Sequence, residues 1–250
     1  VLISASTACF PQLSFTDAID RLVDLEFSNV EIALHERLPQ LKPSEVAADL
    51  EGAVVACRDT HRLGISAYEV EIEATGDEYY EQFRACCRLS KATKVVTITV
   101  PSAELGTPFN EEVERLRKLV AIAGLEGVRV GIRSQVGRLS EDPDTVMVLC
   151  NNVDGLGLTL DPSHYICRPD GKMAKYDKLI KHVYHVHLRD TRKDQLQVRV
   201  GQGLIEYGKI ISQLENVGYN RALSVYITPM EDVDHSAELR KLRLLLESLL

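Results

Sequence analysis

The sequence predicts an α/β protein of the (β/α)8 barrel class. Short runs rich in β-branched residues alternate with longer segments of helical period from one end of the chain to the other. The alternation repeats eight times within 250 residues, a length that suits such a barrel. The first strand ends in Ser6-Thr7-Ala8-Cys9 and not in a Gly-rich turn, which argues against a doubly wound sheet. No charge run or Pro/Ser-rich linker interrupts the pattern, so a single domain over residues 1–250 is expected.

In order, the run LISAST (2–7) reads as the first strand, followed by a helix over 15–25. Ser14 offers a side-chain oxygen to that helix, and Asp17 places an acid in its first turn. NVEIAL (29–34) and ISAYEVEI (65–72) are the next strands, with helical period over 43–63 and 78–90 behind them. KVVTITV (94–100) leads to a helix over 110–124, where Asn110 precedes Glu111 and Glu112 as a cap. VRVGIR (128–133), GLTLD (157–161), VYHVHL (183–188) and ALSVYI (222–227) complete the strands. Helices are expected after them at 143–151, 176–181, 206–217 and 236–250.

The chain is 45% hydrophobic and 26% charged, with 29 basic against 37 acidic side chains and a formal charge of -8. This balance argues against a non-specific nucleic-acid binder, whose affinity comes from Lys and Arg displacing counterions. No run approaches the roughly 20 apolar residues that span a bilayer, and the start lacks the basic flank of a signal peptide, so a cytoplasmic protein away from membranes is expected. The six cysteines show no CxxC spacing and read as reduced thiols; Cys86 and Cys87 diverge by about 100° on a helix and read as packing residues.

In a barrel of this kind the chemistry sits on inward side chains at the C-terminal strand ends. Alternation puts Arg133 with Gly131, Asp161 with Thr159, His187 with His185 and Tyr226 with Ser224 on inward faces. Arg133, Asp161, His187 and Tyr226 are therefore expected to ring the mouth, one layer above the other four. The clusters Asp161-Pro162-Ser163-His164 and His185-Val186-His187-Leu188-Arg189-Asp190 carry the strongest chemical signal. A carboxylate and imidazoles arriving from adjacent strands suit divalent-metal binding or acid–base work. His185 reads more readily as a hydrogen-bonded residue of the barrel interior. His35 and Glu36 stand at the rim after the second strand, and Arg189 follows the seventh, as candidate substrate contacts. Glu31, and Glu69, Glu71 and Glu73 on one face of the third strand, are further acids that an inward orientation would bring to the site. Gly201-Gln202-Gly203 has the composition of a turn between elements, while His61, His182 and His235 read as surface or helix-end residues.

The second-strand Val30-Glu31-Ile32, the segment GLGLTLDPSHYIC, the segment HVYHVHLRDTRKDQLQVRVGQG and GYNRALSVYI together resemble the sugar phosphate isomerase/epimerase superfamily, the xylose isomerase-like TIM barrels of the AP endonuclease family 2 type. The resemblance covers nearly the whole chain and is most specific from Gly155 to Gly203. It implies one divalent metal (manganese, magnesium, cobalt or zinc) at the mouth. The implied ligands are a Glu ending strand five, an Asp ending strand six, a His on strand seven and a Glu ending strand eight. In the epimerases the two Glu residues also move the substrate proton. By this resemblance Asp161 and His187 are metal ligands, His164 contacts substrate, Arg192 stands near an Arg that does so, and the Gly201-Gln202-Gly203 segment is a loop that approaches substrate. Arg133 and Tyr226 replace the two glutamates, and Gln135 stands where a His is frequent.

The replacement changes the expected chemistry. Asp161, Arg133, neutral His187 and Tyr226 sum to zero charge, so the attraction for a dication is largely gone. Arg133 is expected to pair with Asp161 in the metal's place, with no cofactor; the alternative is an Arg133 turned to solvent and one metal on Asp161, His187 and His164. Two functions follow. One is a metal-free isomerase or epimerase, with His164 or His187 as base, Arg133 as electrophile and Tyr226 as acid, and with substrate held by His35, Gln135, His185, Arg189 and Arg192. The other is a non-catalytic protein that binds a sugar or polyol on the same scaffold. DNA repair is disfavoured by the missing ligands and the acidic charge. A homodimer is compatible with the apolar final helix, which suits packing on its own barrel equally well.

Overall fold

Each expected strand forms. In the computed structural model, which describes residues 1–250, β1 (Leu2–Ser6), β2 (Asn29–His35), β3 (Gly64–Glu71), β4 (Thr97–Pro101), β5 (Arg129–Arg133), β6 (Leu156–Leu160), β7 (Val183–Leu188) and β8 (Ala222–Val225) pair in sequence order. All pairings are parallel, and β8 returns to β1 through the register Leu2↔Ala222 and Ser4↔Ser224, which closes the barrel. The helices lie between the strands: α1 (Phe15–Asp24), α2 (Pro43–Ala48), α3 (Leu50–Arg58), α4 (Gly76–Ala92), α5 (Phe109–Leu125), α6 (Pro143–Asn152), α7 (Ser163–Ile166), α8 (Tyr207–Asn216) and α9 (His235–Glu247).

Three helical expectations are corrected. The continuous helix over 43–63 is two helices, because Asp49 leaves helical geometry at φ -141° and turns its carboxylate to the Gly52 N–H, 2.9 Å away. An acid that can cap a helix start competes with the intrahelical bonds it would have to accept mid-helix. α5 begins at Phe109 with Pro108, not Asn110, ahead of it. The helix over 176–181 is a 3-10 segment, Asp177–His182. Ser14 does cap α1, accepting from Asp17 N at 3.2 Å.

Strand alternation creates two interiors of opposite character. Ile32, Leu34, Val70, Ile98, Val100, Ile132, Leu160, Val186 and Val225 face the helices and belong to one continuous buried apolar cluster. The space inside the strands holds polar groups instead, among them Thr99, Thr159, Glu31, His185, His187 and Ser224, all at most 1% exposed. Buried polar atoms need partners, and several of these find them across the barrel: the Thr99 and Thr159 hydroxyls share a 2.7 Å bond and Ser224 donates to Glu31 Oε2 at 2.6 Å. A polar barrel interior delivers charged side chains to the mouth at fixed positions.

Candidate functional site

Arg133 ends β5 and is 8% exposed, so its guanidinium must be paired inside the barrel. The pairing is not with Asp161. Arg133 Nη1 donates to Glu69 Oε1, Nη2 donates to Glu71 Oε1 at 2.7 Å, and Nη2 also reaches Gln135 Oε1 at 2.8 Å. Glu69 and Glu71 are two residues apart on β3, so both carboxylates point to the same face and grip one cation. Gln135, expected as a substrate contact, is drawn into this clamp. Glu73 belongs to the same alternation but lies beyond the strand, where it pairs with the exposed Arg37.

Asp161, fully buried, follows β6 and receives Arg189 Nη2 at 2.6 Å, the Ser163 hydroxyl at 2.5 Å and the Ser163 N–H at 3.0 Å. Burial by itself would raise this carboxyl, but Arg189, then His164 and the Ser163 hydroxyl, outweigh it and hold it down at about 2. Arg189 also lies over the Tyr226 ring, 4.8 Å from its centroid. The cation against Asp161 is therefore Arg189, and the expected Arg133–Asp161 pair is replaced by two separate pairs.

His187 points down, not up. Its Nε2 lies 2.7 Å from Glu31 Oε1, and Tyr226 stacks on its ring at 4.5 Å, covering it from the mouth. His185 sits one layer lower with Nε2 3.2 Å from Glu31 Oε2. Both are interior residues at most 1% exposed. The expected charge balance also changes. Four carboxylates, those of Glu31, Glu69, Glu71 and Asp161, face two guanidinium groups, those of Arg133 and Arg189. The sum of zero from strands five to eight omitted what β2 and β3 contribute.

His35 and His164 flank the mouth. His164 Nδ1 accepts from Val136 N–H at 3.2 Å, so Nε2 carries the ring proton and faces Asp161 Oδ2 at 3.7 Å. His35 Nε2 lies 3.4 Å from Glu69 Oε2 and Nδ1 3.9 Å from Glu71 Oε2. Burial is the largest cause that pushes both imidazoles down, to about 4, so both are neutral near pH 7. Beside His35, at the ends of β2, β3 and β4, opens a cleft of about 660 Å3 whose mostly polar lining includes Glu71, Tyr79, Ser102, Glu104 and Arg138. The clamp and this cleft were not legible as a pair. Their one sequence signal was the Glu69-Glu71 alternation.

The loop after β7 is built around Asp190. Its carboxylate accepts from the backbone N–H groups of Thr191 at 3.0 Å, Gly201 at 2.8 Å, Gly203 at 3.0 Å and Ile205 at 3.4 Å. A Cβ at Gly203 would overlap that carboxylate and the Thr191 carbonyl. Gly203→Ala is thus expected to cost about 1–3 kcal/mol, read as a lowered thermal midpoint; an unchanged midpoint would refute the packing argument. The Gly201-Gln202-Gly203 segment wraps Asp190, and Arg192 is exposed with Nε on the Gln202 carbonyl at 2.9 Å. His61 pairs with Asp20 on the surface, and His235 Nε2 lies 2.7 Å from the Cys9 carbonyl.

No helix is long and apolar enough to cross a membrane. Comparison with known proteins finds a match of residues 19–244 to the family model described as xylose isomerase-like TIM barrel. Among solved structures, a xylose isomerase-like TIM barrel protein from Mycobacterium smegmatis in complex with magnesium superposes with a TM-score of 0.78 at 14% identity, covering 100% of this chain and 98% of that one. L-ribulose 3-epimerase gives a TM-score of 0.74 at 17% identity over 100% and 95% of the two chains. The IolI protein with a bound zinc atom gives 0.74 at 16% identity over 100% and 98%. At such identities the likeness is one of fold. An uncharacterized protein of Methanocaldococcus jannaschii is 24% identical over 136 residues, 50% of this chain and 46% of that protein. Ribonuclease 3 of Histophilus somni is 32% identical over 88 residues, 35% of this chain and 39% of its own length. The chain thus spans less than half the length of the curated relatives it matches.

Proposed function

The chain belongs to the xylose isomerase-like TIM barrel family, and from that premise we propose that it binds a sugar or sugar-like polyol at the barrel mouth, in a site where the family's metal position has been taken over by protein cations. The observation that carries this reading is the pair of buried ion pairs, Arg133 with Glu69 and Glu71, and Arg189 with Asp161. The ligand set implied by resemblance does not suit a dication here. Arg133 puts a fixed positive charge on strand five, Tyr226 supplies no carboxylate, and the Asp161 oxygens already receive Arg189 and Ser163.

The cleft supports a polyhydroxy ligand. Its volume falls within the usual range for small-molecule sites. Glu71, whose side chain is 37% exposed, offers an acceptor to hydroxyl groups, and Arg138 and Ser102 line the same cleft. Few groups at the mouth are free for proton transfer. Abstraction of a proton beside a carbonyl needs a free base; Glu69 and Asp161 are held by guanidinium groups, Glu31 is buried beneath the mouth, and His164 already carries its proton on the nitrogen nearest Asp161, which leaves His35 and Glu71 as the bases that line the cleft. His187 lies beneath Tyr226, away from a ligand.

Isothermal titration calorimetry with D-tagatose and L-ribulose tests the reading. Binding is expected, and Glu71→Gln is expected to weaken it by about ten-fold or more, the loss of a hydrogen bond to a charged acceptor. Two results would overturn it: no binding of either sugar, or binding that requires a divalent ion held by Asp161 and disappears with that ion in Asp161→Asn.

A further inference from the structure

Beneath the mouth lies a group of side chains that the sugar-binding reading does not use. Glu31 on β2 and His185 and His187 on β7 turn one ligand atom each toward a common point, all within 4.8 Å of one another. All three side chains are at most 1% exposed. Their bonding is incomplete. Glu31 Oε2 takes its hydrogen from Ser224 Oγ at 2.6 Å, while His185 Nε2, only 3.2 Å from the same oxygen, makes no hydrogen bond. An imidazole nitrogen left without a partner in a fully buried site costs free energy unless something else takes its lone pair.

Charge gives a second, independent argument. Asp161 has Arg189, and Glu69 and Glu71 share Arg133, whereas no guanidinium or ammonium group reaches Glu31. Uncompensated buried charge is expensive. One divalent cation supplies the missing charge in a single step. Two imidazoles and one carboxylate are also a donor set that zinc accepts with a fourth ligand, and the Ser224 hydroxyl stands beside the carboxylate, 2.6 Å from Glu31 Oε2.

We propose that Glu31, His185 and His187 form a divalent-cation site of the zinc class inside the barrel, one layer below the mouth and distinct from the position between Arg133, Asp161 and Tyr226. Such an ion ties β2 to β7 across the barrel and acts as a structural cross-link. On its other side His185 lines a pocket of about 210 Å3 among Ser66, Thr97, Tyr184 and Arg221 at the N-terminal strand ends. The site stands independently of any ligand at the mouth.

The test is metal content after incubation with Zn2+ and, separately, Co2+, followed by desalting. One equivalent per chain is expected in wild type and in Asp161→Asn, with less than about a tenth of that in Glu31→Gln and in His185→Gln. Circular dichroism establishes that each variant is folded, and the use of two variants guards against failure of either. The Co2+ protein is expected to show visible bands of a four- or five-coordinate site without thiolate charge transfer, lost in both variants. The proposal is overturned if wild type retains no metal. It is overturned equally if metal persists in both Glu31→Gln and His185→Gln, or is lost in Asp161→Asn alone.

Discussion

Arg133→Ala is expected to lower folding stability by about 3–5 kcal/mol, because it leaves Glu69 and Glu71 facing each other without their shared cation. Glu69 is 1% exposed, so water cannot take over the role of the guanidinium. The double variant Arg133→Ala/Glu69→Gln should recover part of the loss, since it removes the charge that the single variant strands. Urea denaturation of the wild type, both single variants and the double gives the coupling directly. A loss under about 1 kcal/mol in Arg133→Ala would mean that the pair behaves as a solvated surface contact and that the clamp does not hold the mouth.

A drop in stability of about 3 kcal/mol between pH 6.5 and 4 is expected from His35 alone. Its imidazole titrates near 6.5 when unfolded and at about 4 when folded, chiefly because burial disfavours the charged ring. Above 6.5 both states are neutral and the residue has no effect. As pH falls through that window the unfolded chain binds a proton that the folded chain refuses, so stability decreases, and below about 4 the effect levels off. The groups that face His35 are Glu69, Glu71 and Arg133, with Glu31 and His187 behind them; Glu71 and Glu31 pull its titration up, and Arg133 and His187 push it down. His35→Gln should flatten the fall by about 3 kcal/mol relative to wild type, measured as urea midpoints from pH 7 to 4. Parallel curves for the two proteins would show that His35 is not held neutral.

The strands were legible because period-two alternation and β-branched residues mark each of them locally, and the identity of the inward residues followed from the same alternation. Arg133, Asp161, His187 and Tyr226 do stand at the ends of β5 to β8. Their partners were not legible. Arg133 meets Glu69 across 64 residues, and His187 meets Glu31 across 156. Nothing local distinguishes Asp161 from Glu69 as the acid that Arg133 reaches, since both are inward carboxylates at strand ends. The helix break at Asp49 had a signal, an acid three residues before Gly52, but helical period on both sides concealed it.

By itself the sequence determined the barrel, the order of its strands and which side chains look inward, because those properties are set by neighbours a few positions apart. Only the tertiary structure decided which charges meet. Closing the barrel brings β2 and β3 to face β5 and β7, and register shifts beside Glu31 and Thr159 help set the height at which the side chains arrive. Over a few ångströms in a buried space, pairing energies depend steeply on distance and on the absence of water. That steepness separates Arg133 from Asp161, hands Asp161 to Arg189, and gathers Glu31, His185 and His187 at one point inside the barrel.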